Sequence, residues 1–159
     1  MSKAPSAFYN CCTKSKFAQR TVAVRRSRIL VVDDYVPVAQ AIAQLLRLSG
    51  HAVVTAFDAN EVMNAARAFQ PDVVLLDIGL RGPNDGVAVA EWLRHEPSFD
   101  NTLLVALTGR CDGEDDDRIA TAGFDYHLIK PVSFDELEAI IEKAPERHLD
   151  GPKGNSIAG

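Results

Sequence analysis

The sequence predicts an α/β protein built on a doubly wound parallel sheet of five strands. Three observations predict this class. Five short aliphatic runs alternate with helix-like stretches between residues 28 and 144, and charged residues follow several of these runs. Each run is as apolar as a strand that is buried on both faces. Strands and helices that alternate in this way imply a parallel sheet with right-handed crossover connections.

The first half of the pattern predicts three strands and two helices. The predicted strands are Ile29–Val32, Ala52–Ala56 and Val73–Leu76. Apolar residues at helical spacing predict the first helix, which ends at Ser49-Gly50. These residues are Val38, Ile42, Leu45 and Leu46. The second helix begins at an Asp58 N-cap and ends before Pro71, and its apolar face is made by Val62, Ala66 and Phe69.

The second half predicts two more strands and three helices. A loop rich in Gly, Pro, Asn and Asp, residues 81–86, precedes a helix around residues 87–94. The predicted strands are Leu103–Leu107 and Tyr126–Ile129. An acidic stretch, residues 112–117, leads into a helix that ends near Ala122-Gly123. Ser133 is the predicted cap of the last helix, whose apolar residues recur at helical spacing as Leu137, Ile140, Ile141 and Ala144.

Composition divides the chain into a basic head, an acidic folded region and a polar tail. Seven Lys and Arg residues precede Asp33, and no acidic residue does. The chain from Asp33 onward therefore holds 10 basic residues (17 less 7) and 22 acidic ones, which gives it a net charge of −12. We expect residues 1–27 to form a disordered basic arm, with a transit peptide as the alternative, and residues 145–159 to form a flexible tail. So acidic a domain, residues 28–144, is a poor candidate for direct binding to nucleic acid.

Cysteine usage and hydropathy favour a cytoplasmic protein. Cys11, Cys12 and Cys111 show no metal-ligand spacing, and the adjacent pair would form an awkward disulfide, which favours reduced thiols. No run approaches the roughly 18 consecutive apolar residues that a membrane span requires. Three histidines without evident partners are predicted on the surface, namely His51, His95 and His148.

Charged side chains follow three of the predicted strands at the points where those strands end. Asp33 and Asp34 follow the first strand, Asp77 follows the third and Lys130 follows the fifth. In a doubly wound sheet of five strands the first and third strands are neighbours at the switch point, so we expect the three carboxylates to converge. Several carboxylates together select a hard cation such as Mg²⁺, and a lysine beside them provides a counter-charge for a phosphoryl group. The sequence therefore predicts a Mg²⁺-dependent phosphoryl site.

Two further residues fit such a site. Thr108 follows the fourth strand and offers a hydroxyl donor to a phosphoryl oxygen, while Gly109 leaves room for a close approach. Asp77 stands alone at its strand end and is a candidate nucleophile that could form an acyl phosphate. The alternative for Asp33 and Asp34 is that they are ordinary helix-capping carboxylates.

Four segments of the chain resemble the receiver domain of two-component response regulators, in particular the receivers that cooperate with hybrid histidine kinases. The segments are residues 29–34, 73–78, 107–109 and 123–131, and the resemblance covers about residues 28–144. It implies a flavodoxin-like (βα)5 fold with strand order 2-1-3-4-5. It also implies that Asp77 accepts a phosphoryl group from a histidine kinase or a histidine phosphotransfer protein.

The resemblance assigns roles to the remaining site residues. It implies that Asp33, Asp34, Asp77 and the backbone carbonyl of Gly79 hold Mg²⁺, the one cofactor expected. Thr108 and Lys130 would contact the phosphoryl oxygens. Thr108 and His127 would occupy the two switch positions, and Pro131 would follow a cis peptide bond.

The chain departs from the receiver pattern at several positions. Arg81 stands where these receivers usually have proline, and the loop after it is one residue longer. His127 stands where the switch residue is often an aromatic, and its imidazole can titrate near neutral pH. Gly79 and Arg110 flank the path of attacking water and offer no carboxylate or amide to orient it, so we expect slow self-dephosphorylation.

The sequence therefore predicts a stand-alone receiver that is not an enzyme and that signals by phosphorylation-dependent binding to a downstream protein. Neither nucleic acid nor a membrane is an expected partner. A phosphate sink or relay intermediate is the nearest alternative. An aspartyl-phosphate phosphatase normally needs a carboxylate where Gly79 stands, and a flavodoxin-like flavin binder would have its phosphate repelled by the acidic strand ends.

Overall fold

The computed structural model describes residues 25–82, 84–109 and 113–145 and contains five strands and five helices in alternation. The strands are β1 (Arg28–Val32), β2 (Ala52–Ala56), β3 (Val73–Asp77), β4 (Leu103–Thr108) and β5 (Tyr126–Ile129). The helices are α1 (Val36–Leu48), α2 (Ala59–Phe69), α3 (Gly86–His95), α4 (Gly113–Thr121) and α5 (Phe134–Ile141), and a short 3₁₀ helix, Pro97–Phe99, follows α3. The sheet order is β2-β1-β3-β4-β5 with every pair parallel, which confirms the predicted fold.

Alternate residues of each central strand enter two separate apolar cores, one on each face of the sheet. Leu30, Leu76 and Leu104 face the core under α2, α3 and α4. Ile29 and Leu75 face the core under α1 and α5. Because both faces are covered, β3 and β4 are buried along their whole length. The one polar residue of each of these two strands is its last, at the carboxyl end.

Local capping sets the helix ends close to where the sequence predicts them. The Asp58 carboxylate accepts the Glu61 N–H at 2.9 Å at the start of α2, as predicted. The Asp85 carboxylate accepts the Ala88 N–H at 3.0 Å at the start of α3. At α5 the Glu136 carboxylate accepts the Ser133 N–H at 3.4 Å.

The sequence-based expectation that His51 lies on the surface is wrong. His51 is only 6% exposed. Its Nδ1 accepts the Ser27 N–H at 3.3 Å and its Nε2 lies 3.5 Å from the Glu138 carboxylate. A buried polar side chain needs such partners, and only the folded chain brings them together.

Several expectations concern residues outside those that the structure describes. These are the basic arm up to residue 24, the three cysteines, Arg110, His148 and the tail beyond residue 145. The last residues of the predicted arm are packed against the folded domain. Ser27 is buried, and Arg25 donates a hydrogen bond to the Ala144 carbonyl at 2.8 Å. Within the described ranges, none of the helices combines the length and apolarity that crossing a bilayer would take.

Candidate functional site

Three carboxylates converge at the carboxyl edge of the sheet. Asp33 follows β1 directly and Asp77 ends β3, and these strands are hydrogen-bonded neighbours. Asp33, Asp34 and Asp77 each offer an oxygen within 4.8 Å of the others, and Asp33 and Asp77 are buried. Like charges at this separation repel one another, so the cluster is stable only with positive charge beside it. It is an oxygen-rich group of the kind that Mg²⁺ prefers.

Lys130 supplies part of that positive charge. Its ammonium lies 2.6 Å from Asp33 Oδ2 and 3.2 Å from Asp77 Oδ2. Burial by itself would lower the pKa of Lys130, but the hydrogen bond to Asp33 and the charges of Asp77 and Asp33 outweigh it, so the pKa is raised. The lysine is therefore held in its charged form. The peptide bond that follows it, to Pro131, is cis.

Backbone groups hold the two buried carboxylates in place. Asp33 Oδ1 accepts the Tyr35 N–H at 2.8 Å, and Asp77 Oδ1 accepts the Gly79 N–H at 3.0 Å. Gly86 lies directly against the end of β3, where an added Cβ would come within 2.3 Å of the Asp77 carbonyl oxygen. The backbone of α3 can approach the strand end this closely only because that residue has no side chain.

A cavity of about 220 Å³ opens beside Asp77. Thr108 and Gly109 border it on the β4 side, and Ile78 and Gly79 border it on the β3 side. The predicted placement of Thr108 beside Asp77 is therefore present in the structure, with the threonine only 4% exposed. The cavity gives space for a group attached to the carboxylate.

Arg81 forms an ion pair with one member of the carboxylate cluster. Its Nε lies 3.1 Å from Asp34 Oδ2, although its side chain is 93% exposed. The departure from the receiver pattern at this position thus places a cation against one of the predicted metal ligands. Its charge opposes that of any cation bound to the same carboxylate.

His127, the other predicted switch residue, lies on the edge strand β5 and is exposed. It is not among the residues that border the cavity beside Asp77. The exposed position gives its imidazole free access to solvent.

Sequence reasoning missed an ion pair that borders the same cavity. Arg118 of α4 and Asp85 at the start of α3 both line it, and their side chains meet at 2.6 Å. Partial burial would raise the pKa of Asp85, but the hydrogen bond from the Ala88 N–H and the Arg118 guanidinium outweigh it, so the pKa is lowered. Asp85-Gly86 signalled a loop end in the sequence, whereas nothing local marked Arg118, which lies 33 residues away.

The fold and this edge of the sheet define a class of protein. A five-stranded parallel sheet of order 2-1-3-4-5, with three aspartates and a lysine gathered at its carboxyl edge, is a CheY-like signalling domain. The chain belongs to the response regulator receiver domain family, whose model matches residues 29–142. Phosphorylation and Mg²⁺ binding are typical of this family, and its members interact with histidine kinases and downstream targets.

Two curated relatives and one solved structure illustrate the similarity. The transcriptional regulatory protein PrrA of Mycobacterium tuberculosis is 38% identical over 121 residues, which cover 75% of this chain and 50% of PrrA. The DNA-binding response regulator MtrA of Mycobacterium leprae is 34% identical over 127 residues, covering 80% and 55% respectively. A CheY-like receiver domain protein from Methanospirillum hungatei has a TM-score of 0.68 at 28% identity, covering 75% of this chain and 94% of that chain.

The chain spans about half the length of the curated relatives that it matches. The shared part is the receiver domain, because the family model ends at residue 142. The similarity therefore establishes the receiver domain and its signalling class.

Proposed function

We propose that this receiver accepts a phosphoryl group on Asp77 from a phosphohistidine donor and signals in the cytoplasm by phosphorylation-dependent binding to another protein. The observation that carries the proposal is the position of the Asp77 carboxylate. It belongs to a carboxylate cluster suited to Mg²⁺, lies 3.2 Å from the Lys130 ammonium, and borders a cavity. Each neighbour counters a charge that an acyl phosphate would introduce.

The predicted Mg²⁺ ligands fit the ion. Asp33, Asp34 and Asp77 present carboxylate oxygens close together at an edge that reaches solvent, and the Gly79 carbonyl would complete the protein ligands. When bound, Mg²⁺ supplies positive charge that neutralises the carboxylates and the incoming phosphoryl oxygens. The set suits an ion that keeps several waters and takes few protein ligands.

In the transfer step a carboxylate oxygen of Asp77 forms the bond to phosphorus as the phosphorus–nitrogen bond of the donor breaks. The electron pair of that bond stays on the departing imidazole nitrogen. Lys130 holds its ammonium beside Asp77 Oδ2, where it stabilises the negative charge on the transferred oxygens. The Thr108 hydroxyl borders the cavity and would donate to one of these oxygens.

A second proposal concerns the kind of target on which the domain acts. We propose that the receiver acts on a protein target and makes no direct contact with nucleic acid. The net charge of −12 over the chain from Asp33 onward supports this, because phosphate backbones repel acidic surfaces. The DNA-binding character of MtrA argues for a different output in that relative, which is about twice as long as the matched region.

Beryllofluoride with Mg²⁺, which mimics an aspartyl phosphate, tests the acceptor. We expect it to shift amide resonances around residues 77–80 and 106–109 in the wild type and to leave Asp77→Asn unchanged. Asp58→Asn is the matched control, because it removes the same charge while asparagine can still cap α2. Equal responses in the wild type and Asp77→Asn would refute the acceptor assignment.

A phosphate sink or relay intermediate would behave differently in a second assay. Fast phosphotransfer from a histidine kinase, combined with partner binding that phosphorylation leaves unchanged, would favour the relay over the signalling output. Turnover of a small phosphate ester would favour a phosphatase, although Gly79 stands where such an enzyme keeps its acid–base carboxylate.

A further inference from the structure

The ion pair between Arg118 and Asp85 joins two helices at the cavity that borders Asp77. Arg118 lies on α4 and Asp85 precedes α3, and their side chains are 52% and 34% exposed. Asp85 uses its two oxygens for different partners: Oδ1 accepts the Ala88 N–H at 3.0 Å, and Oδ2 accepts the Arg118 N–H at 2.6 Å. The capping bond does not involve the arginine, so the cap can persist if Arg118 turns away.

The same cavity brings Arg118 close to the proposed phosphoryl acceptor. Asp77, Thr108, Asp85 and Arg118 all border this space of about 220 Å³. A phosphoryl group on Asp77 would add three acceptor oxygens and a charge of about −1.5 to −2 to the cavity. A guanidinium matches such a group with paired hydrogen bonds, whereas its contact with Asp85 involves one oxygen of a partly exposed carboxylate.

Resting on the proposed function, we infer that Arg118 exchanges partners on phosphorylation, leaving Asp85 for the phosphoryl group on Asp77. Arg118 then becomes a phosphoryl-binding residue, in addition to Thr108 and Lys130. The exchange has a structural consequence because the next residue, Ile119, is buried in the core under α4. Any movement of the α4 backbone toward the cavity must repack this side chain.

Arg118 and Asp85 therefore have opposite effects in the proposal. Asp85 competes with the phosphoryl group for the guanidinium, so removing its charge should favour the phosphorylated state. Removing the guanidinium should disfavour that state. If the ion pair were merely structural, the two substitutions would break the same contact. Both would then change the stability of the phosphorylated state in the same direction.

The affinity for beryllofluoride at saturating Mg²⁺, measured by calorimetry or by ¹⁹F resonance, tests the exchange. We expect Arg118→Gln to weaken binding about tenfold or more, as for loss of a charge-assisted hydrogen bond. We expect Asp85→Asn, in which the amide oxygen can still cap α3, to strengthen binding about 1.4- to 5-fold. Arg67→Gln removes another exposed arginine that pairs with Glu96, away from the cavity, and is expected to leave the affinity unchanged.

The double variant separates partner exchange from a general field effect. If Asp85 acts through Arg118, Asp85→Asn has no effect on beryllofluoride affinity in an Arg118→Gln background. If Asp85→Asn strengthens binding equally in both backgrounds, its charge acts directly and the exchange is overturned. The Ile119 and Ala122 amide shifts induced by beryllofluoride should also disappear in Arg118→Gln.

The two proposals fail in distinguishable ways. A wild type that does not bind beryllofluoride with Mg²⁺ would overturn the acceptor site itself. A wild type that binds it, with Arg118→Gln binding equally well, would overturn only the exchange. Urea unfolding of each variant shows whether a change in affinity reflects a loss of fold.

Discussion

Replacing Arg81 with alanine should strengthen Mg²⁺ binding. The guanidinium lies 3.1 Å from Asp34 Oδ2, one of the proposed metal ligands, and its positive charge opposes a second cation at the same carboxylate. If the arginine stays, its charge repels the ion, and if it moves away, its ion pair with Asp34 is lost. Both reduce the affinity for Mg²⁺. Alanine removes both the charge and the contact and leaves the carboxylates in place.

The exposure of Arg81 sets the size of the effect. A side chain that is 93% exposed sits in high dielectric, where an ion pair contributes about 0.2–1 kcal/mol. The dissociation constant for Mg²⁺ should therefore fall by about 1.4- to 5-fold, since about 1.4 kcal/mol corresponds to a factor of ten. The Debye length is about 10 Å at 0.1 M salt and shorter above it, so the gain should shrink as salt is added.

Isothermal titration of Mg²⁺ into both proteins, at low and at physiological ionic strength, measures this prediction. Arg67→Ala is the control, because it removes the same charge from an exposed ion pair with Glu96 that lies away from the carboxylates. Equal affinities of Arg81→Ala and Arg67→Ala would refute the reasoning. Weaker binding by Arg81→Ala would show that the arginine assists the site rather than opposing the metal.

Three further outcomes follow from the site and its supports. Because the folded-state pKa of Lys130 is raised, its contribution to stability is complete below the ordinary value of 10.5 and is lost as pH rises through the folded-state pKa. Urea unfolding should show this loss of stability at alkaline pH, and the loss should be absent in Lys130→Met. Asp77→Asn should raise the melting temperature of the metal-free protein by relieving carboxylate repulsion. Added Mg²⁺ should reduce the difference in melting temperature between the variant and the wild type. A melting temperature below that of the wild type without metal would contradict the prediction. Gly86→Ala should cost about 1–3 kcal/mol or more of unfolding free energy, because its Cβ would meet the Asp77 carbonyl; unchanged stability in urea would count against that close contact.

The accuracy of the sequence-based predictions follows the range of the interactions involved. The strands agree with the aliphatic runs to within a residue, and for the central strands β3 and β4 the reason is that a strand buried on both faces must be mainly apolar. Asp58 caps α2 as predicted, because a cap depends on residues three apart. Apolar spacing defines a helical face only to within the width of that face, and in α1 the packing buries Leu46 while Leu45 stays 48% exposed.

His51 shows the limit of local reasoning more clearly. It has no partner nearby in sequence, yet Ser27 lies 24 residues before it and Glu138 lies 87 residues after it, and both meet its ring in the fold. The same holds for Arg118 and Asp85, which are 33 residues apart. No periodicity or spacing marks such a pair, since the packing of the intervening helices and strands decides whether the side chains meet.

The class of fold and the chemical groups that follow the strands can be read from the amino-acid sequence alone. Alternating apolar patterns are properties of short stretches of chain, and the order of strands and helices restricts the sheet to few topologies. Folding sets which side chains meet: Lys130 contacts Asp33 and Asp77, Arg81 contacts Asp34, and Arg118 borders the cavity beside Asp77. The physical reason is that electrostatic and hydrogen-bond energies depend on separations of a few ångströms, and these are set when distant segments pack together.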